Sequence, residues 1–132
     1  MHTEVLIKRV YDTPSDDDGL RVLVDKLWPR GIKKEDLKYD IWARDIAPSS
    51  ENRRMFHANP EDNWKKFSDC YRKELESSSA FSNFIALLER SHPKRITLLY
   101  AFKSRIKNHA IVLQQEIMER LYKRALDITM FS

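Results

Sequence analysis

Residues 95–102 read RITLLYAF. Beyond Arg95 and Thr97 the run is apolar, with no alternation, and it is too short for a buried helix. A strand with one wet face alternates, so an unbroken apolar run belongs to a strand covered on both faces, as in a mostly parallel sheet between helices. Two earlier stretches carry a weaker form of the same signal: residues 4–10 (EVLIKRV) and 21–27 (RVLVDKL), both short, rich in Val, Leu and Ile and only faintly alternating. The order strand, strand, several helices, strand, helix then predicts an α/β domain. Its small, mostly parallel sheet is flanked by helices in a single layered sandwich.

The segments between those strands support this assignment. Residues 11–20 hold Pro14, the run Asp16, Asp17, Asp18 and then Gly19, a loop composition. Residues 40–47 are expected to form a short helix ended by Pro48, with Ser49 capping the next one, which carries Met55 and Phe56. Asn59-Pro60-Glu61-Asp62 marks a helix start: a capping side chain, a proline at the first helical position and two acids at the positive end of the dipole. Trp64, Phe67, Tyr71 and Leu75 follow at helical spacing. Ser77 to Ser79 separate this helix from one with Phe81, Phe84, Ile85 and Leu88 inward. A last long helix shows Ala110, Leu113, Ile117, Leu121 and Ala125 as a stripe, widened by Met118 and Tyr122. Residues 125–132 are compatible with an extra strand or a loose tail.

A chain of 132 residues matches one domain, and a 42% apolar, 33% charged composition suits a packed globule. The lone Cys70 forbids an intramolecular disulfide and the paired-cysteine zinc motifs, and it points to a reducing compartment. With neither a signal-peptide pattern nor an apolar run of membrane-spanning length, a cytoplasmic protein is expected. The net charge of +4 is modest, but Arg90, Lys94, Arg95, Lys103, Arg105 and Lys107 follow one another with no intervening acid. Such a run favours anionic partners.

In an open parallel sheet, ligands bind beyond the carboxyl ends of the strands. Arg9, Tyr11 and Asp12 follow the first strand. Asp25, Lys26, Trp28, Pro29, Arg30 and Gly31 end or follow the second, and Lys103, Asn108 and His109 follow the third. Three segments therefore deliver polar groups to one expected edge. Each has an ordinary structural alternative. Asp25 in a buried strand needs a partner, for which Arg9 or Lys103 would serve. Trp28 is also read as core, Arg30 as solvated surface, and His109 near a helix start as a hydrogen-bonding or packing residue. His57 sits in a helix-to-helix turn and gives a weaker signal. Only Gly19 and Gly31 are present, which removes the glycine-rich nucleotide loops, and no helix carries a paired-histidine metal motif. Cys70 lies beside the inward Tyr71 and reads as packing. No cofactor is expected.

Several of these segments carry a resemblance. Residues 9–12 (RVYD), 21–31 (RVLVDKLWPRG), 46–49 (IAPS), 97–101 (TLLYA) and 108–110 (NHA) are similar to the YeaO-like family of bacterial proteins, catalogued as a domain of unknown function. The similarity runs from about residue 5 to 113 and implies a small cytoplasmic α/β protein. The chain departs from the family pattern in two places. Ser104 follows Lys103 where relatives carry an acid, and His57 falls one place early before Asn59-Pro60.

Three functions compete at this stage. The first is binding of a small anionic metabolite, nucleotide-like or phosphorylated. Arg9, Arg30 and Lys103 would hold the anion, Trp28 or Tyr11 would stack, Asn108 would assist, and Asp25 and His109 would be the acid–base candidates. The second is nucleic-acid association through residues 90–107. The third is a partner-binding module without chemistry.

Overall fold

The computed structural model describes residues 3–131, with side chains described through residue 123. The strands are β1 (Glu4–Arg9), β2 (Leu20–Leu23), β3 (Ile41–Trp42) and β4 (Arg95–Tyr100). The helices are α1 (Ser50–Ala58), α2 (Pro60–Glu76), α3 (Ser79–Ser91) and α4 (His109–Phe131). Among the described residues the strands form one all-parallel sheet in the order β1-β4-β2-β3. The stretch 95–102 thus contributes a central strand, flanked on both sides and buried throughout its length after Arg95.

The two faces of β4 explain why its sequence does not alternate. Ile96, Leu98 and Tyr100 join Val22, Val24, the inward residues of α2 and α3, and Ala110, Leu113 and Ile117 of α4 in the main core. Leu99 points the other way, with Leu23, Val10 and Leu37, under Trp28, Ile32 and Trp42. The second face is therefore covered not by a helix but by the irregular chain from 24 to 40, whose aromatic and aliphatic side chains substitute for one.

The helix starts are capped as their sequences require. Ser49 accepts from the Asn52 N–H, Asn59 from Asp62, and Ser78 from Phe81. Tyr71, fully buried in α2, donates its hydroxyl to the Ile46 carbonyl at 2.5 Å, and burial pushes its pKa well above the ordinary tyrosine value.

Four expectations change. Residues 40–47 are not a helix: Ile41–Trp42 pair with Val22 and Leu23 as β3, and Arg44–Ile46 make one 3-10 turn. β-branched and aromatic side chains at the sheet edge prevail over helix propensity there. The second strand stops at Leu23, because Asp25 leaves the ladder to bond elsewhere. The tail through Phe131 is neither strand nor loose, since α4 continues to that residue, and Ser132 lies outside the described residues. Met118 and Tyr122 are exposed, so the apolar stripe of α4 is narrower than its sequence suggests. Ala125 lies outside the residues whose side chains are described.

Two buried devices hold the other end of the sheet. Asp18 is buried and paired with Arg21 and with Lys8, the latter at 3.0 Å. Burial raises its pKa, but the Ser15 N–H and the two cations more than reverse this, and the carboxyl lies below its usual range. Gly19 has φ +66°, and a Cβ there would lie 2.2 Å from the Arg95 carbonyl oxygen, so only glycine lets β2 approach β4 this closely.

Candidate functional site

Beyond the carboxyl ends of β1, β4 and β2 lies a cleft of about 390 Å³, within the range of small-molecule pockets. Asp25 is part of its lining. Having left the β2 ladder, it turns its side chain to β4. Oδ2 accepts from the Ala101 N–H at 3.0 Å, and its own carbonyl accepts from the Trp42 indole at 2.7 Å. The expected ion pair with Arg9 or Lys103 is not made.

Asp25 Oδ1 faces His109, the first residue of α4. His109 Nε2 lies 3.0 Å from Oδ1 and 3.2 Å from the Val24 carbonyl oxygen. Both neighbours are acceptors, so Nε2 carries the ring hydrogen and a neutral His109 keeps its lone pair on Nδ1. The N–H is aimed at Val24 and not along the shorter contact. Oδ1 is consequently a buried carboxylate oxygen with no aligned hydrogen bond. Asn108 positions this pair and is not itself in the cleft. Fully buried, it caps α4 by accepting from the Ile111 N–H, and it donates to Ser104 O, both at 3.0 Å.

The loop after β2 forms one wall. Gly31, with φ +78°, turns the chain after Arg30. Trp28 donates to the Ile32 carbonyl and meets Tyr39 and Trp42 edge-on, with ring centroids 5.7 and 5.5 Å away. Tyr11, from the loop after β1, donates its hydroxyl to the Arg30 carbonyl at 2.9 Å and so ties the two loops together. Arg9 supports the wall from behind. Its guanidinium donates to the carbonyls of Phe102 and Ala101, and it lies 4.9 Å over the Tyr11 ring.

Of the residues singled out in the sequence, Tyr11, Asp25, Lys26, Trp28, Pro29, Arg30 and His109 line the cleft. Arg9, Lys103 and Asn108 do not: Arg9 is occupied by strand-end carbonyls, Asn108 is a cap, and Lys103 is exposed outside the lining. On another wall Arg53 was not anticipated, and His57, read as a turn residue of weak signal, lies within α1. Arg53 and His57 are one turn apart on α1 and both line the cleft, with Phe56, Phe67 and Phe102 as its aromatic floor. The His57 ring stacks on Phe102 at 5.1 Å and 17°. Desolvation, then the charges of Arg53 and His109, push the His57 pKa below its ordinary value, with Asp25 opposing. The Arg53 Nε is buried without a hydrogen-bond partner. The i, i+4 spacing of Arg53 and His57 was readable, but nothing in the sequence placed α1 against the end of β4.

These features define an open, all-parallel α/β protein whose strand-end cleft is aromatic below and cationic at the rim, with one carboxylate inside. Residues 4–130 match the family model described as "Inactive DUF488-N3 subclade", and the chain belongs to that family. Uncharacterized protein YeaO of Escherichia coli (strain K12) is 44% identical over 106 residues, covering 80% of this chain and 90% of YeaO. Uncharacterized protein Rv3073c of Mycobacterium tuberculosis and uncharacterized protein Mb3100c of Mycobacterium bovis are each 41% identical over 113 residues, covering 86% of this chain and 92% of theirs. No solved structure matches.

Proposed function

We propose that this protein binds a small anionic metabolite, nucleotide-like or otherwise phosphorylated, in the cleft at the carboxyl edge of the sheet. The observation that carries this is the set of cations lining the cleft, Lys26, Arg30 and Arg53, none of which pairs with a carboxylate among the described residues. Cations that share a cleft without a counter-ion favour an anion that accepts from their N–H groups. Arg53 thus takes the role the sequence had suggested for Lys103. Tyr11 and Trp28 hold the wall in place, and the exposed His57 and half-buried Phe102 offer apolar surface to the rest of the ligand.

Asp25 and His109 form an acid–base pair in geometry. Membership of a subclade described as inactive weighs for retention of the ligand over its conversion. A reducing, cytoplasmic setting suits the single free thiol of Cys70. Among the described residues no helix is long and apolar enough to cross a membrane.

Calorimetric titration with inorganic phosphate, sugar phosphates and nucleoside monophosphates tests the proposal. An Arg30→Ala, Arg53→Ala double variant is expected to bind at least about tenfold more weakly, the effect of losing charge-assisted hydrogen bonds. Undiminished binding by that variant would remove the cleft as the site.

A further inference from the structure

We infer that His57 is a ligand-binding residue of the cleft and engages the anion as an imidazolium, so that the anion and a proton are taken up together. This rests on the cleft being the anion site and adds one contact and its regulation by pH. His57 and Arg53 lie one turn apart on α1, and both line the cleft. The His57 ring stacks on Phe102, with centroids 5.1 Å and planes 17° apart. Such stacking fixes the plane of the ring and leaves its edge, where the two nitrogens are, uncovered. His57 is exposed, and among the described residues neither nitrogen has a hydrogen-bond or ion-pair partner.

The charged groups that act on this ring come from several segments. Arg53 is on its own helix, His109 opens α4, and Asp25 follows β2. Lys26 and Arg30, from the loop after β2, line the same cleft. Phe102, past the end of β4, brings no charge. Desolvation, then Arg53 and His109, disfavour the imidazolium, and Asp25 opposes them only in part. An anion seated beside Arg53 supplies the counter-charge that the imidazolium lacks.

The two histidines of the cleft differ in this respect. A proton on His109 is answered within the protein, because Asp25 Oδ1 lies 3.0 Å from Nε2. A proton on His57 meets no carboxylate within ion-pair distance among the described residues, so its counter-ion comes from the ligand. By linkage, an anion that prefers the imidazolium to the imidazole raises the His57 pKa. Affinity is then greatest below the pKa of the free protein, and it falls as pH rises through the higher pKa of the complex.

Sulfate is a suitable probe, since its own charge is constant between about pH 5 and 8, where histidines titrate. Proton NMR on the full chain follows the His57 ring signal, identified by its loss in His57→Gln. Saturating sulfate is expected to raise the His57 pKa by about one unit relative to sodium chloride of equal ionic strength. Calorimetry should accordingly show about tenfold tighter sulfate binding at about pH 5 than at about pH 8. His57→Gln should bind with the weaker, alkaline affinity throughout. A His57 pKa that does not move while sulfate binds overturns the inference and leaves the anion site standing. A His57→Gln variant that keeps the wild-type pH dependence also overturns it, because the titrating group then lies elsewhere. If neither sulfate nor any phosphorylated compound binds at either pH, the anion site falls and this contact with it.

Discussion

Asp18 and Asp25 show how differently two neighbouring carboxylates can be used. Asp18 is answered by Lys8, Arg21 and the Ser15 N–H, whereas Asp25 is held by the Ala101 N–H on one oxygen and meets His109 Nε2 on the other. The first fastens two strands, and the second is built into the wall of a cleft. Because the folded pKa of Asp18 lies below the ordinary carboxylate value, its stabilisation is fully present above the unfolded pKa, about 3.9. It is lost as pH falls through the lower, folded value. Asp18→Asn is therefore expected to cost about 3 kcal/mol at neutral pH, since Arg21 stays buried without its counter-ion. The variant and the wild-type protein should converge in acid. Urea midpoints at neutral pH and near pH 3 check this, and an equal gap at both would contradict it.

At the level of elements, signals confined to a few adjacent residues were legible and those that depend on packing were not. Asn59-Pro60 and Ser49 begin helices because the capping bond is local. The apolar run in 95–102 reports a strand with two covered faces because each of its residues meets one or the other core. Residues 41–42 form a strand only because β2 offers an unpaired edge, which no local pattern records. Likewise Asp25, Arg30 and His109 were legible from their places after strands, while Arg53 and His57 required knowledge of where α1 docks. Gly19 is the element-scale counterpart of a cap, since it sets how closely β2 can lie beside β4. Gly19→Ala forces a Cβ to 2.2 Å from the Arg95 carbonyl at a left-handed φ. It is expected to destabilise the protein by about 2–3 kcal/mol, the range for backbone strain of this kind. An unchanged denaturation midpoint would show that the strands can separate without cost.

Considered as a whole, the molecule separates its charges along the strand direction. Arg95, at the amino end of β4, is engaged by Glu4 and the Asp17 carbonyl, whereas Lys103, Arg105 and Lys107 lie past the carboxyl end. Arg105 and Lys107 are themselves paired with Asp12 and Glu61, and the Arg105 guanidinium holds the Asp12 carboxyl below its usual range. The basic run of the sequence is therefore split between opposite ends of the sheet and partly neutralised. A nucleic-acid role would need those charges on one continuous surface. Gel-shift titrations with DNA and RNA duplexes and single strands in low salt should show no retardation. A complex that weakens steeply with added salt would count for phosphate binding after all.

The strand order β1-β4-β2-β3 also governs when the sheet can exist. Among the described residues β1 pairs only with β4, and the two are joined by bonds such as Glu4 N–H to Lys94 O, far apart in sequence. On the ribosome, β1 lacks its β4 partner until residues 95–100 have left the exit tunnel. Until then the nascent chain can build α1, α2 and α3 but cannot close the sheet that those helices cover.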